Sequence, residues 1–359
     1  MGDNRKWEAH AATPAHDHAQ QRARGRTRFQ RVVCYWRTPV IGNRLHGMNS
    51  RFNAADLQAM LDEMEREAPF SSLDALNARL VQRMQQYNTT PQPELGGLSP
   101  DQTAQLLYGD WATAGAFRVS GEAAPAALLA VPIVADARLL MTYLDANGPV
   151  KLTPKGNLTR AAVAELAPQL RTEALNEEAF DLAPLPVRNE DDVRWLPVLK
   201  HVLLFGKLAT KRKGLLLSAR GRTLLPEPQV GALFVELFRT FFRQFDLQYL
   251  YSGTPHLGLQ QTLPYTFYQL GRTAHDWTPL VPLAEAAWLL SARDPFASWE
   301  RDHPEARFNA FRYRVLEPLV HFGLPERRLL PAEALYLRRA EFRRTSLYAQ
   351  LLRFAFTAP

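Results

Sequence analysis

Cysteine is almost absent: Cys34 stands alone in 359 residues, which excludes an internal disulfide framework and a cysteine-based zinc site. No apolar run approaches the roughly 20 residues needed to cross a bilayer, and no charged start leads into a secretory apolar core. The expected location is cytoplasmic, with no membrane partner. Also missing are a P-loop, a GxSxG elbow, an HExxH pair and a glycine-rich dinucleotide turn. Gly96-Gly97 comes nearest to a phosphate loop, but no Lys or Ser/Thr follows at the required spacing, so it reads as a turn. These absences weigh against the common enzyme classes, and neither a cofactor nor a metal is expected. A dispersed active site around His256, His275 and Asp276 is left open, although nothing in their spacing requires one.

At 46% hydrophobic residues, the chain can fill two or three domain cores. Its net charge of +7 is unevenly placed. Residues 1–47 carry nine basic and three acidic side chains with no helical or strand period, and they read as a disordered basic leader. Three readings compete for it: a nucleic-acid-binding arm, an organellar presequence, or a start assigned too early, the true chain beginning at Met48. Patterned sequence begins directly after Met48, which favours the last. The pair His16 and His18 lies in this unpatterned stretch and reads as a solvated tail.

Residues 48–130 are expected to form an N-terminal helical region. "FNAADLQAMLDEMEREA" spaces Leu57, Met60, Leu61 and Met64 for one helix face, and "SSLDALNARLVQRMQQYN" does the same with Leu73, Leu76, Leu80 and Met84. A helical hairpin follows from the two. Further on, Ser99 is a predicted N-cap, Pro100 the first helical residue and Gln102 the capping-box partner.

"VKLTPKGNLTRAAV", residues 150–163, introduces a pattern that recurs. Three stretches superpose, beginning at Ala137, Trp195 and Phe311. Each has an apolar helix, a glycine stop (Gly148, Gly206, Gly323), a strand or hairpin, and a Thr or Ser three residues before a Gly or Tyr that opens a helix. Those pairs are Thr153/Gly156, Ser218/Gly221 and Thr345/Tyr348, and the hydroxyl is expected to cap the helix. In the second stretch, "GKLAT" and "GLLLS" flank the basic turn Lys211-Arg212-Lys213-Gly214. In the third, "GLPERR" pairs with "LYLRRAEFRRT".

A helix, a hairpin with a basic tip and a capped second helix resemble the winged-helix domains of bacterial transcription regulators, the MarR-type ones most closely. From about Leu73 onward, "YNTTPQPELGGLSPDQ", "VKLTPKGNLTRAAV" and "RRTSLYAQLL" are similar to a group of uncharacterised bacterial proteins, some ending in a SEC-C metal-binding tail. That cysteine-rich tail is absent here, and the resemblance brings no known activity with it.

The expected fold is mainly α with small β-hairpins. It comprises the N-terminal helical region, a first winged-helix-like unit with an acidic linker (131–194), a second with an aromatic helical insert (195–310) and a third (311–359). In the insert, Leu233, Leu237, Phe241 and Phe245 form an apolar stripe that reads as core.

Charge sorts with these units. Residues 48–136 carry five basic and eleven acidic side chains, 195–228 seven against one, and 311–359 nine against four. Basic hairpin tips are how winged helices meet phosphates, so the resemblance implies double-stranded DNA or another nucleic acid as partner. Its contacts would be Lys207, Lys211, Arg212, Lys213, Arg220, Arg222, Arg338, Arg339, Arg343 and Arg344. Against this, "WLPVLKHVLLF" offers only Lys200 and His201 to read base edges. A protein-interaction scaffold built on degenerate winged helices is therefore the alternative. The acidic stretch 177–192 reads as an inter-unit linker or as an intramolecular partner of the basic tips, competing there with outside ligands.

Overall fold

The computed structural model describes residues 62–63, 66, 72–111, 115–180, 187–251, 257–289, 305–330 and 340–356. The chain forms two compact units, Met1–Ser72 and Leu73–Pro359. In the first, Asp62, Glu63 and Arg66 are helical, within the first predicted helix; the rest of that helix, the basic leader and Met48 lie outside the described residues. The second unit is mainly helical with short antiparallel strand pairs.

It opens with α1 (Leu73–Thr89) and α2 (Pro100–Tyr108). On α1, Leu76 and Leu80 are half-buried and Met84 is exposed. The start of α2 follows from local chemistry. Ser99 Oγ accepts the Gln102 N–H at 3.2 Å, Gln102 Oε1 accepts the Ser99 N–H at 2.9 Å, and Pro100 fills the first helical position, closing the predicted capping box. The Gly96-Gly97 turn adopts left-handed φ angles of 63° and 83°. The Gly96 carbonyl accepts Arg272 Nη1 at 2.6 Å, so the turn presents an acceptor and works as a structural corner.

After β1 (Phe117–Val119) and α3 (Pro125–Ala130), one order of elements occurs twice. The first set is α4 (Pro132–Asn147), an extended residue Val150, α5 (Arg160–Leu166), α6 (Arg171–Phe180), α7 (Trp195–Phe205), the hairpin β2 (Ala209–Lys211)–β3 (Leu215–Leu217), and α8 (Ala219–Leu224). Val150 and Leu215 exchange backbone hydrogen bonds of 2.9 and 2.8 Å, so the stretch before α5 forms the third, antiparallel member of the β2–β3 sheet. The stretches assigned from the sequence to a first and a second unit therefore share one sheet.

A central helix, α9 (Val230–Arg243), separates this set from the next. After α10 (Leu257–Gln261) come α11 (Leu263–Thr273), β4 (Thr278–Pro279), α12 (Leu280–Ala287), α13 (Glu305–Phe311), α14 (Glu317–His321), β5 (Pro325–Leu329), β6 (Ala340–Arg344) and α15 (Ser346–Leu351). β6 lies between β4 and β5, pairing antiparallel with both. A wide π-type turn, Arg312–Leu316, joins α13 to α14. Much of what the sequence suggests to be an insert thus supplies the opening helix, first strand and second helix of this second set. A closing strand, β7 (Leu352–Phe354), pairs with β1.

The two hairpin corners match bond for bond. Leu208 N–H reaches Leu203 O at 2.8 Å and Leu324 N–H reaches Leu319 O at 3.0 Å, each ending its helix with a left-handed residue, Lys207 (φ 56°) or Gly323 (φ 68°). On return, Ser218 N–H bonds Leu208 O at 2.9 Å and Thr345 N–H bonds Leu324 O at 2.8 Å. Their hydroxyls donate to Lys207 O at 2.7 Å and Gly323 O at 2.8 Å. Ser218 also caps α8, accepting the Gly221 N–H at 2.9 Å, as predicted. Thr345 makes no such cap; its hydroxyl lies between the Gly323 and Leu324 carbonyls. Thr153 differs as well. It closes the turn before α5 by accepting the Asn157 N–H at 3.1 Å, while Thr159 caps α5, because the chain doubles back through a Leu152–Leu158 bridge before the helix begins.

The core is built on α9. Leu233, Phe234, Leu237, Phe238, Phe241, Phe242 and the following Phe245 are all buried, confirming the predicted stripe as core. Phe322, just past α14, lies 5.1 to 5.8 Å from the rings of Phe234, Phe238, Phe241 and Phe242. From the first set, Trp195 stacks on Phe241 at 6.1 Å and meets His321 at 3.9 Å. Replacing Phe322 with Ala is expected to cost about 3–5 kcal/mol, read as a lower midpoint in chemical denaturation.

His321 is fully buried, and among the described residues its Nδ1 has no hydrogen-bond partner. Burial first, then the Arg327 and Arg194 charges, hold its pKa well below the ordinary 6.5. The unfolded chain takes up this proton near pH 6.5 and the folded chain does not. Stability therefore falls as pH drops below 6.5, by up to about 1.4 kcal/mol per pH unit from this group. Urea denaturation at pH 7.5 and 5.5 should show a smaller acid-side loss for His321→Leu than for the native chain.

Candidate nucleic-acid interface

At the β2–β3 tip, Lys211, Arg212 and Lys213 are exposed, and so is Lys207 at the base of the hairpin. The turn is shaped by Lys213 at φ 50° and Gly214 at φ 153°, with the Arg212 N–H donating to Gly214 O at 2.8 Å. Gly214 lies tightly against Pro149 and Val150: a methyl group there would fall 2.7 Å from the Val150 carbonyl oxygen. This contact brings a second short loop, residues 151–158, alongside the tip. Its Lys151 and Lys155 are exposed, and a methyl group at Gly156 would lie 3.1 Å from Lys211 Nζ. Lys151, Lys155, Lys211, Arg212 and Lys213 therefore form one positive patch on two adjoining loops. None of the five takes part in an ion pair among the described residues.

Lys151 and Lys155 are absent from the sequence-derived contacts. The signal was present, since both lie in "VKLTPKG", but it emerges only once Val150 is known to pair with Leu215.

The remaining predicted contacts are not gathered into this patch. Arg220 Nη2 binds Glu236 Oε2 at 2.5 Å and Arg222 Nε binds Asp145 Oδ1 at 2.8 Å. In the second set, Arg343 Nη2 pairs with Glu326 Oε2 at 2.7 Å, and Arg344 Nη1 donates to Gly271 O at 2.8 Å. Arg343 and Arg328 lie over the Trp277 ring, each 4.7 Å from its centroid, with Arg328 also paired to Glu341. Along β5 and β6, Arg328 and Arg343 are thus paired with carboxylates of the facing strand. Arg338 and Arg339 lie outside the described residues.

Neither helix preceding a hairpin offers a reading face. On α7, Trp195 through Lys200, Val202 and Leu203 are buried, and every residue of α14 is buried. Lys200 points inward, donating to Gly156 O at 3.0 Å and pairing with the buried carboxylate of Glu190. His201 Nδ1 donates to Pro197 O at 2.6 Å within its own helix.

Where it is described, the acidic stretch bonds its own turn, Lys200 and the 151–158 loop. Asp192 accepts the Asn189 N–H at 2.9 Å and Asp191 accepts Asn157 Nδ2 at 3.1 Å. No ion pair links the stretch to the hairpin tip among the described residues. His275 and Asp276 are exposed, and Asp276 accepts the Trp277 N–H at 2.7 Å, the bond of a bend; His256 lies outside the described residues. No group of three potential metal ligands occurs among the described residues, and no described helix is long and apolar enough to cross a membrane.

No curated protein and no solved structure matches the chain. Residues 129–230 match the Y4jL N-terminal domain family, a span that takes in the first set from α4 through α8 and both arms of the basic patch.

Proposed function

We propose that this chain is a non-catalytic, cytoplasmic nucleic-acid-binding protein. In this reading each of the two sets is a winged-helix unit, and the first wing, together with the 151–158 loop, grips the phosphate backbone. One observation carries the reading: five exposed cations share adjoining loops and have no ion-pair partner among the described residues, whereas the described cations of the second hairpin, Arg327, Arg328, Arg343 and Arg344, are paired with carboxylates or backbone. Phosphate contacts position a protein on nucleic acid without reading sequence. The burial of α7 and α14 supports binding without a helix in the major groove, so weak base preference follows. The protein-scaffold reading draws on that same burial, because a winged helix that hides this helix has lost its usual means of recognising DNA.

Fluorescence anisotropy of the full chain with random double-stranded DNA at several salt concentrations distinguishes the two. About five phosphate contacts predict that log K falls with log salt at a slope of about −4.5 from this patch, and Lys211→Glu/Arg212→Glu/Lys213→Glu should flatten it by about 3. A slope and affinity unchanged by the triple substitution would assign any binding to other parts of the chain, and no binding at low salt would favour the scaffold.

A further inference from the structure

We infer that the buried Lys200–Glu190 pair is a positioning element that sets the spacing between the two arms of the basic patch. The inference rests on the nucleic-acid reading above. Lys200 and Glu190 are 4% and 0% exposed. Taking two charges out of water is costly, and their attraction repays it only with good geometry and further hydrogen bonds. Here those bonds go to one short segment. Lys200 Nζ donates to the Gly156 carbonyl at 3.0 Å, and the second oxygen of Glu190 accepts the Leu158 N–H.

Three elements converge on this point: α7 through Lys200, the turn Glu190–Asp192 through Glu190, and the 151–158 loop through its backbone. The acidic turn is itself fixed, since Asn189 Oδ1 accepts the Asp191 N–H at 2.9 Å and Asp192 returns a bond to the Asn189 N–H. Asp191 adds an outer tie to Asn157. The loop is therefore held from inside by a salt bridge and presents Lys155 outward, while Gly156 packs beside Lys211. The helix that would read bases in a winged helix instead supplies the ammonium that seats the neighbouring cationic loop. The pair is neutral as a whole, so it fixes Lys155 relative to Lys211 without opposing the positive surface.

The test compares full-length chains carrying Glu190→Leu, Lys200→Met and both, by thermal melting and by binding to a random DNA duplex across a salt series. Each single change leaves one buried charge unmatched and should lower the melting temperature. The double change removes both charges and should recover much of that loss. It should nevertheless bind about tenfold more weakly, with a salt slope smaller by about one to two contacts. A folded double variant with native affinity and slope would overturn the inference.

Gly156→Ala gives an independent arm, because φ is 84° and the added methyl crowds Lys211 Nζ while both charges remain. Its slope is expected to fall by about one, and an unchanged slope would likewise overturn the inference. Should the native chain show no salt-sensitive, tip-dependent binding, the nucleic-acid reading itself fails before any variant is compared.

Discussion

The enclosure of Phe322 by the aromatic face of α9 is the interaction on which the other arrangements depend. Four phenylalanines of one helix surround a ring from the second set, and the same face stacks on Trp195 from the first. Aromatic pairs of this kind add to the large apolar area they bury. Because α7 begins and α14 ends at this cluster, the helices that precede the two hairpins become core.

That constraint sorts the charges. Once α7 is buried, its one lysine must find a partner, and Glu190 and the Gly156 carbonyl supply it. Once α14 is buried, Glu317 accepts from both Arg312 at 2.8 Å and Arg327 at 2.5 Å. Among the described residues the cations divide further: Arg220 and Arg222 on α8 and Arg328 and Arg343 on the second hairpin meet carboxylates, and those on the first hairpin tip and the 151–158 loop do not. Exposed pairs of this sort contribute little to stability. They do cancel the local field of the cations they engage.

Local chemistry was legible in the sequence, and long-range pairing was not. The Ser99 capping box, the Ser218 cap, the basic β2–β3 turn and the apolar stripe of α9 each depend on residues within a few positions, and each is found where it was expected. Thr153 misled because its capping signature is met equally by Thr159, and only the Leu152–Leu158 bridge decides between them. Three repeated stretches became two sets because the pairing of Val150 with Leu215 spans 65 positions and leaves no periodic trace. The place of Lys151 and Lys155 beside the tip depends on the same pairing. The inward turn of Lys200 could not be read either, although a single lysine in an otherwise apolar eleven-residue helix was a hint. Charge counts placed the basic segments correctly but could not tell paired cations from unpaired ones.

The central claim is that nucleic acid meets the hairpin tip and the adjoining loop, and no helix face. Lysine-selective acetylation followed by mass spectrometry, with and without duplex DNA, tests it most directly on the intact chain. The account predicts that Lys151, Lys155, Lys211 and Lys213 lose reactivity together when DNA is added, while Lys200 is unreactive in both conditions. Protection confined to Lys6 of the leader, or a Lys200 that reacts freely and is then shielded by DNA, would contradict it.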